Sequence, residues 1–439
     1  MKNPKKGYKL EKTIYQQIEE IPEKWDFVKL EDVGEIVGGG TPDTTKEGFW
    51  KNGKIPWFTP QELTNLKTNF VSNSERKITE KGRDESSAKE MPKGTLLLTT
   101  RATIGNCAIS ENIVCTNQGF QNLICKEDYD TKFIMYSIRY NLRRLMQYAQ
   151  GTTFLEISKT NLAKIKIPCP KDPKEGKEIG IILSNVDKVI QDQNQIIENT
   201  IELKRGLLKK LFTYGVSGNE SEKIQLKPRF FKMNIPKNWK CMELGELLSI
   251  LKDGTHNPPM KVTEGIPLLT AENIHDGIVD YEKDYWCVSE KDYQDMHKTY
   301  EIQEDDILLT IVGSLGRVSK VKKQKKFSVQ RSVAVFRTNG EISSNYLYYF
   351  IQTKYFQDQL ISRAKSTAQS GIYLGELSKI SIWYPEEKLD KNSQQEKIAQ
   401  ILSNIDQLIE NEKEYKSKIE KIKNGIMQQL LTGQKRVKI

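Results

Sequence analysis

At roughly 100 to 200 residues per domain, a chain of 439 residues predicts two to four domains and excludes a single small module. No run of about 18 apolar residues is available to span a bilayer, and the opening MKNPKKGYKLEKTIYQQ lacks the apolar core of a signal peptide, so no membrane association and a cytoplasmic location are expected. A formal charge of +10 favours a polyanionic partner, while six cysteines without a C-x-x-C pair, and three histidines none of which lies beside one, predict reduced thiols and no metal site.

The first elements are short. IPEKW (residues 21–25) is followed by Leu30, which opens LEDVGEI, and Gly40-Thr41 makes a turn before IPWFTPQEL. LLLTT, continued as LLTTRATIG, is a β-rich run ending in glycine. CAISENIVCTNQGFQNLIC reads as paired strands, and KFIMYSIRYNLRRLMQYA reads as a helix. In GTTFLEISKTNLAKIKIPCP (residues 151–170), Ser158 holds a helix-entry position, and the alternation of Ile165 with Ile167 predicts a last strand closing the sheet.

A segment of different character follows. Ile179, Ile182, Val186, Val189, Ile196, Leu203 and Leu207 step by threes and fours, with Gln193 and Thr200 in two seam positions; Leu183, Ile190, Ile197 and Leu211 widen the stripe. That spacing predicts a long helix with a heptad seam, about 50 Å over some 34 residues.

Then the chain repeats itself with a period near 215. IPKNW returns at residues 235–239 with Leu244 five residues beyond, and Gly254-Thr255 returns for Gly40-Thr41. IPLLTAENI matches IPWFTPQEL, LLTIVGSLG matches LLTTRATIG, and Val329-Gln330 follows where Asn117-Gln118 did. FSVQRSVAVF reads as paired strands and SNYLYYFIQTKYFQDQLI as a helix. STAQSGIYLGELSKISIWYP places Gly375 at the helix entry and Ile380/Ile382 in the closing strand. ILSNVD (residues 182–187) recurs as ILSNID (residues 401–406), and KRGLLKKLFT as KNGIMQQLLT. The second seam runs through Ile398, Ile401, Ile405, Leu408, Glu412, Tyr415, Ile419, Ile422 and Ile426, widened by Leu402, Ile409 and Leu430.

These elements predict an α/β class: two globular α/β units, residues 1–170 and 215–388, separated by two long helices, residues 171–214 and 389–439. The helices bury their stripes against each other as an antiparallel coiled coil in an internal pseudo-twofold repeat. A self-associating or partner-binding coiled coil is the alternative for the same stripes.

No catalytic constellation emerges. Asn257-Pro258-Pro259 resembles an adenine-methylating motif, but Met260 stands where an aromatic ring must stack on the base. Pro42-Asp43 with Glu75 and Lys77 fits a nuclease pattern only as a highly charged chain does by chance. No phosphate-binding G-x-x-x-x-G-K-[ST] loop exists. Polar and basic groups near strand ends are the better signal. Residues 307–340 carry eight basic side chains and no acid, a footprint suited to phosphates: Arg317, Lys320, Lys322, Lys323, Lys325, Lys326, Arg331 and Arg337. In the first unit Arg101 occupies the equivalent loop, and Arg139, Arg143 and Arg144 share a helix. Thr103, Asn117, Gln118, Ser314 and Gln330 are types able to read base edges. The candidate DNA-binding set is therefore Arg101, Thr103, Asn117, Gln118, Arg143, Ser314, Arg317, Lys320, Lys322, Lys323, Gln330 and Arg331.

The two I-P-x-x-W boxes, each with its leucine, the G-T turns, the I-G and L-G loops and the paired I-L-S-N-[VI]-D helices together resemble the DNA specificity (S) subunits of type I restriction-modification enzymes, over residues 21–433. The resemblance implies two target recognition domains, each reading one half of a bipartite target in double-stranded DNA. It also implies helices that set the spacing and dock two modification (methyltransferase) subunits, with restriction subunits joining the complex. S-adenosylmethionine and ATP with Mg would then belong to those partner subunits and no cofactor to this chain, a non-catalytic recognition subunit. An interaction scaffold that binds no DNA and a self-sufficient restriction-methylation enzyme are the competing readings.

Overall fold

A computed structural model describes residues 4–12, 18–64, 66–150, 155–218, 220–226, 231–275, 277–322, 326–364 and 371–439. The fold divides into two units, residues 1–196 with 412–439 and residues 197–411.

In the first unit the I-P box ends a hairpin (Tyr8–Lys12 with Ile18–Pro22), and the strand it opens, Trp25–Lys29, pairs antiparallel with Lys166–Pro170. The predicted last strand thus closes onto the strand that the I-P box opens. A five-stranded sheet runs in the order Gly34–Gly38, Gln121–Cys125, Leu96–Leu98, Cys107–Ser110, Phe70–Val71, and a three-stranded sheet joins Cys115–Thr116, Ile55–Phe58 and Lys77–Ile78. Leu96, Leu97 and Leu98 are fully buried because apolar groups cover both faces of their strand.

The second unit repeats the plan. Ser221–Leu226 pairs with Phe231–Pro236, Lys240–Glu243 with Ser381–Tyr384, a four-stranded sheet runs Leu248–Asp253, Val333–Thr338, Ile307–Thr310, Val318–Lys320, and Ser328–Val329 lies parallel to Ile266–Leu269.

Three local expectations are corrected. The segments read as paired strands do not pair internally: Leu96–Leu98 inserts between Cys107–Ser110 and Gln121–Cys125, while Cys115–Thr116 departs to the other sheet, and Ser328–Val329 departs likewise. Each predicted domain helix is broken into two. Thr131–Tyr140 stops at Asn141, whose amide donates back to the Ser137 carbonyl at 2.8 Å; Ser344–Ile351 stops before Thr353, whose hydroxyl caps the next helix at the Phe356 N–H. Ser158 does cap its helix through the Asn161 N–H, but Gly375 lies inside Leu374–Leu377, with Tyr373 at the cap.

The helix pairing is antiparallel within each unit and keeps most of the predicted seam, with alternate members displaced by one residue. The central helix is Pro173–Tyr214 and the C-terminal helix Gln394–Leu431. In the first unit Ile179, Leu183, Ile190 and Gln193 of the central helix are buried or half-buried, as are Glu412, Ile419, Lys423 and Leu430 of the C-terminal one. In the second unit Ile197, Thr200, Lys204 and Leu211 face inward, as do Ile398, Leu402, Ile405 and Ile409. Val189, Ile196, Leu203, Leu408, Tyr415 and Ile422, assigned to the seams by their apolarity, are 41–58% exposed. The next residues, Ile190, Ile197, Lys204, Ile409 and Lys423, turn inward in their places, beside the expected polar members Gln193 and Glu412. Gln193 donates to Glu412, and Lys423 reaches Asp187 at 2.5 Å in the first unit as Lys204 reaches Asp406 at 2.6 Å in the second.

Each aspartate also receives a tyrosine of its own domain: Tyr136 donates to Asp187 at 2.6 Å and Tyr349 to Asp406 at 3.0 Å. The two Tyr-Asp-Lys groups occupy equivalent places in the repeat and tie each domain to its helix pair. Burial pushes the Asp187 carboxyl up, but hydrogen bonds from Lys423, Tyr136 and Asn69 outweigh it and hold the group below its ordinary value. Tyr136 and Tyr349 are pushed up, by burial first and then by their aspartates.

Candidate nucleic-acid interface

Each long β run ends in the same turn. Thr99 donates its hydroxyl to the Thr103 and Asn106 carbonyls, and the Gly105 N–H returns to the Thr99 carbonyl at 2.9 Å. Thr310 wraps residues 310–317 alike, donating to the Ser314 carbonyl, with the Gly316 N–H on the Thr310 carbonyl at 2.9 Å. Two positions in each turn have left-handed backbone: Ala102 (φ 62°) with Gly105 (φ 93°), and Gly313 (φ 79°) with Gly316 (φ 92°). Alanine and glycine thus share one place. No atom lies within 4 Å of a Cβ added at Gly313. Gly313→Ala is therefore expected to fold and to lower unfolding stability by only about 1 kcal/mol, the backbone cost alone, in a denaturant titration.

Backbone hydrogen bonds lace this turn to its neighbours. The Thr100 N–H donates to the Gly119 carbonyl and the Ile157 N–H to the Thr100 carbonyl; in the second unit Ile311 donates to Ser332 and Ile372 to Ile311. The Gly39 and Gly254 N–H groups bond the Phe120 and Val333 carbonyls, and the Asn117 and Gln330 N–H groups bond the Phe58 and Leu269 carbonyls. These pairings correct the repeat register by one residue. Gly254-Thr255 corresponds to Gly39-Gly40, and Gln330 to Asn117. The slip at Gly254 comes from a bulge between Leu248 and Ile250, which puts one extra residue, Ser249, into the second unit's strand.

The candidate residues sort accordingly. Thr103, Asn117, Gln118 and Arg101 gather at this edge of the first unit. Asn117 spends its side-chain oxygen on the Gly119 N–H at 2.8 Å, Gln118 accepts from Thr41, and Arg101 faces Glu156 at 3.8 Å in an exposed pair. Arg143 is exposed and follows Leu142, which packs on the turn at Gly105. Arg139 is absorbed by Asn69 and the Cys107 carbonyl, and Arg144 by Glu19.

In the second unit Ser314, Arg317, Gln330 and Arg331 share the edge, and neither arginine has a carboxylate partner among the described residues. The lysines do not join them. Lys320 pairs opposite Ile307, at the far end of the strand from Thr310, and its ammonium is held by Asp305 at 2.7 Å and Asn345 at 2.5 Å; exposed Lys322 follows beyond it. Arg337 forks onto buried Asp306 and Lys326 pairs with Glu290. The basic stretch thus folds back on the acid-rich residues 277–306 before it, which neutralise part of it. Lys323 and Lys325 lie outside the described residues.

Thr99 and Thr310, which build the turn, are marked in the sequence only by the threonine that follows each L-L pair. The paired tyrosines and lysines around Asp187 and Asp406 were likewise visible only as parts of matched boxes. Asn257–Met260 forms an exposed loop, and Asp43 spends its carboxylate on Thr45, so neither rejected motif assembles a site.

Comparison with known proteins agrees with this double construction. The family model described as type I restriction modification DNA specificity domain matches residues 22–203 and again 236–421. The chain is similar to the specificity subunit of the type I restriction enzyme MjaIX of Methanocaldococcus jannaschii, 28% identical over 96% of this chain and 95% of that one, and to the putative type I restriction enzyme MjaX specificity subunit of the same organism, 29% identical over 98% of each. Among solved structures, the S subunit of a type I restriction-modification system from M. genitalium superposes with a TM-score of 0.54 at 19% identity, covering 92% of this chain and 96% of that one. With one recognition plan built twice in its fold and a matching family model over most of its length, the chain belongs to the type I restriction modification DNA specificity domain family and carries two copies of that domain.

Proposed function

We propose that this chain is the specificity subunit that directs a type I restriction-modification complex to DNA, each unit reading one half of a bipartite target in double-stranded DNA. The observation that carries the reading is the laced turn of each unit: one backbone construction presents Arg101 and Gln118 in the first copy, where the Thr103 hydroxyl is buried, and Ser314, Arg317 and Arg331 in the second. A constant frame with variable side chains suits two related readers of different sequences. Two modification subunits dock on the long helices in this reading, whose apolar residues at heptad spacing, Val189 and Ile196 in the first unit and Leu408 in the second, stand exposed. Restriction subunits complete the complex. S-adenosylmethionine and ATP with Mg are assigned to the partners, the chain itself supplies recognition without catalysis, and the complex works in the cytoplasm. No described helix is long and apolar enough to cross a membrane.

Exchange of residues 215–388 for the corresponding domain of a relative tests the proposal. Single-molecule methylome sequencing of a host carrying the hybrid is expected to show one half-site changed and the other kept. A change in both halves, or in neither, rejects it.

A further inference from the structure

Beyond the turn described above, the first unit carries an exposed cation, Arg76, held in a fixed plane. The Arg76 guanidinium carbon lies 3.8 Å from the Trp50 ring centroid and 5.1 Å from that of Trp57, and the two indoles meet edge to face at 5.0 Å. Both indoles are anchored to the glycine turn: Trp57 donates its Nε1–H to the Gly40 carbonyl at 2.9 Å and Trp50 to the Asp43 carbonyl at 3.0 Å. Arg76 itself is exposed and has no carboxylate partner among the described residues.

Its place in the sheet is informative. The Trp57 N–H bonds the Arg76 carbonyl at 3.0 Å, and the next residue, Phe58, accepts from the Asn117 N–H. Arg76 therefore sits at the same end of the three-stranded sheet as Asn117, Gln118 and Thr41, immediately before its outer strand Lys77–Ile78. In the second unit the matching position, one before Cys287 opposite Pro267, is Trp286, so the cation has no counterpart there.

We propose that Arg76 is a DNA-contact residue of the first unit alone, a phosphate clamp that fixes the duplex against this edge. The inference rests on the recognition reading above. A planar guanidinium offers paired N–H donors to a phosphate, and stacking on Trp50 fixes that plane before binding, so little side-chain freedom is lost when the contact forms. Its position on the rim, outside the laced turn, favours backbone contact over base reading, because phosphate contacts set position and register and carry no sequence information themselves.

The test uses the complex of this chain with its modification subunits and a duplex bearing the methylome-determined target. Arg76→Ala is expected to weaken binding by about tenfold or more and to reduce the slope of log affinity against log salt by about 0.9, with the methylated sequence unchanged. Arg76→Lys should keep the slope and lose part of the affinity. Thermal unfolding of each variant, expected to match the parent, guards against a folding defect. Unchanged affinity and slope in Arg76→Ala, or a change in the bases methylated, overturns the clamp. Failure of the parent complex to bind the duplex would instead overturn the recognition reading.

Discussion

Lys423→Met lowers the unfolding stability of the first unit by about 2 to 4 kcal/mol, the cost of leaving a largely buried carboxylate without its cation. Asp187 and Lys423 are only 18% and 20% exposed, so water replaces little of the lost partner. Tyr136 and Asn69 continue to donate at 2.6 and 2.5 Å, which keeps the effect below that of a wholly orphaned charge. Hydrogen exchange under rising urea should place the loss in residues 1–196 and 412–439, and the double change Asp187→Asn with Lys423→Met should recover most of it, because the uncompensated charge is gone. A recovery of less than half would mean that the pair acts through packing of the lysine stem. The pH dependence follows from the same geometry. The folded carboxyl lies below its ordinary value of 3.8, so its contribution is full above that value and is lost as pH falls through the folded pKa. The parent should therefore lose an acid-sensitive part of its stability below about pH 4 that the double variant lacks.

That lysine also shows why the predicted seams shift by one residue at alternate positions. The predicted seam does turn inward at Ile179, Gln193 and Thr200, yet its alternate members Val189, Ile196 and Leu203 are exposed, and Ile190, Ile197 and Lys204, one residue on, turn inward. Each inward polar group found a partner that only folding brings near: Glu412 for Gln193, Asp406 for Lys204. Periodicity reveals a heptad, and lines one residue apart satisfy it nearly equally well; which one is covered depends on polar pairs about 200 residues apart.

The globular units were more legible because their signals are local. Leu97-Leu98 and Leu308-Leu309 became buried strands, Ser158 became a cap, and the tryptophan boxes open the strands that receive Lys166–Pro170 and Ser381–Tyr384. The one-residue slip at Gly254 was hidden because Ser249 enters as a bulge, and a bulge leaves the flanking apolar pattern intact. The candidate site was legible only in its outline. Arg317 and Arg331 reach the edge, whereas Lys320 and Arg337 are consumed by Asp305 and Asp306, a neutralisation invisible when basic and acidic stretches are counted separately.

The glycines at that edge set the second large effect. A Cβ on Gly39 would stand 2.0 Å from the Asn117 carbonyl oxygen, and one on Gly254 would stand 1.9 Å from the Val329 carbonyl oxygen. Both obstacles are backbone within laced segments, so no side chain can swing away to make room. Gly39→Ala must push the Gly39–Gly40 turn off the strand end that carries Asn117, at a cost of about 3 kcal/mol or more. Gly254→Ala does the same to the loop that carries Gln330 and Arg331. Each change should disable one half of recognition: with modification subunits present, the Gly39→Ala chain is expected to discriminate bases in the second unit's half-site only, and the Gly254→Ala chain in the first unit's only, when single-base variants of the target compete for binding. Gly48→Ala is the control, since no atom lies within 4 Å of its added Cβ, and it should leave both half-sites read. Equal loss at both half-sites from either variant would mean that the two edges are not independent readers. If Gly39→Ala kept its own half-site, the close approach of the glycine turn to Asn117 would not be what shapes the reading surface.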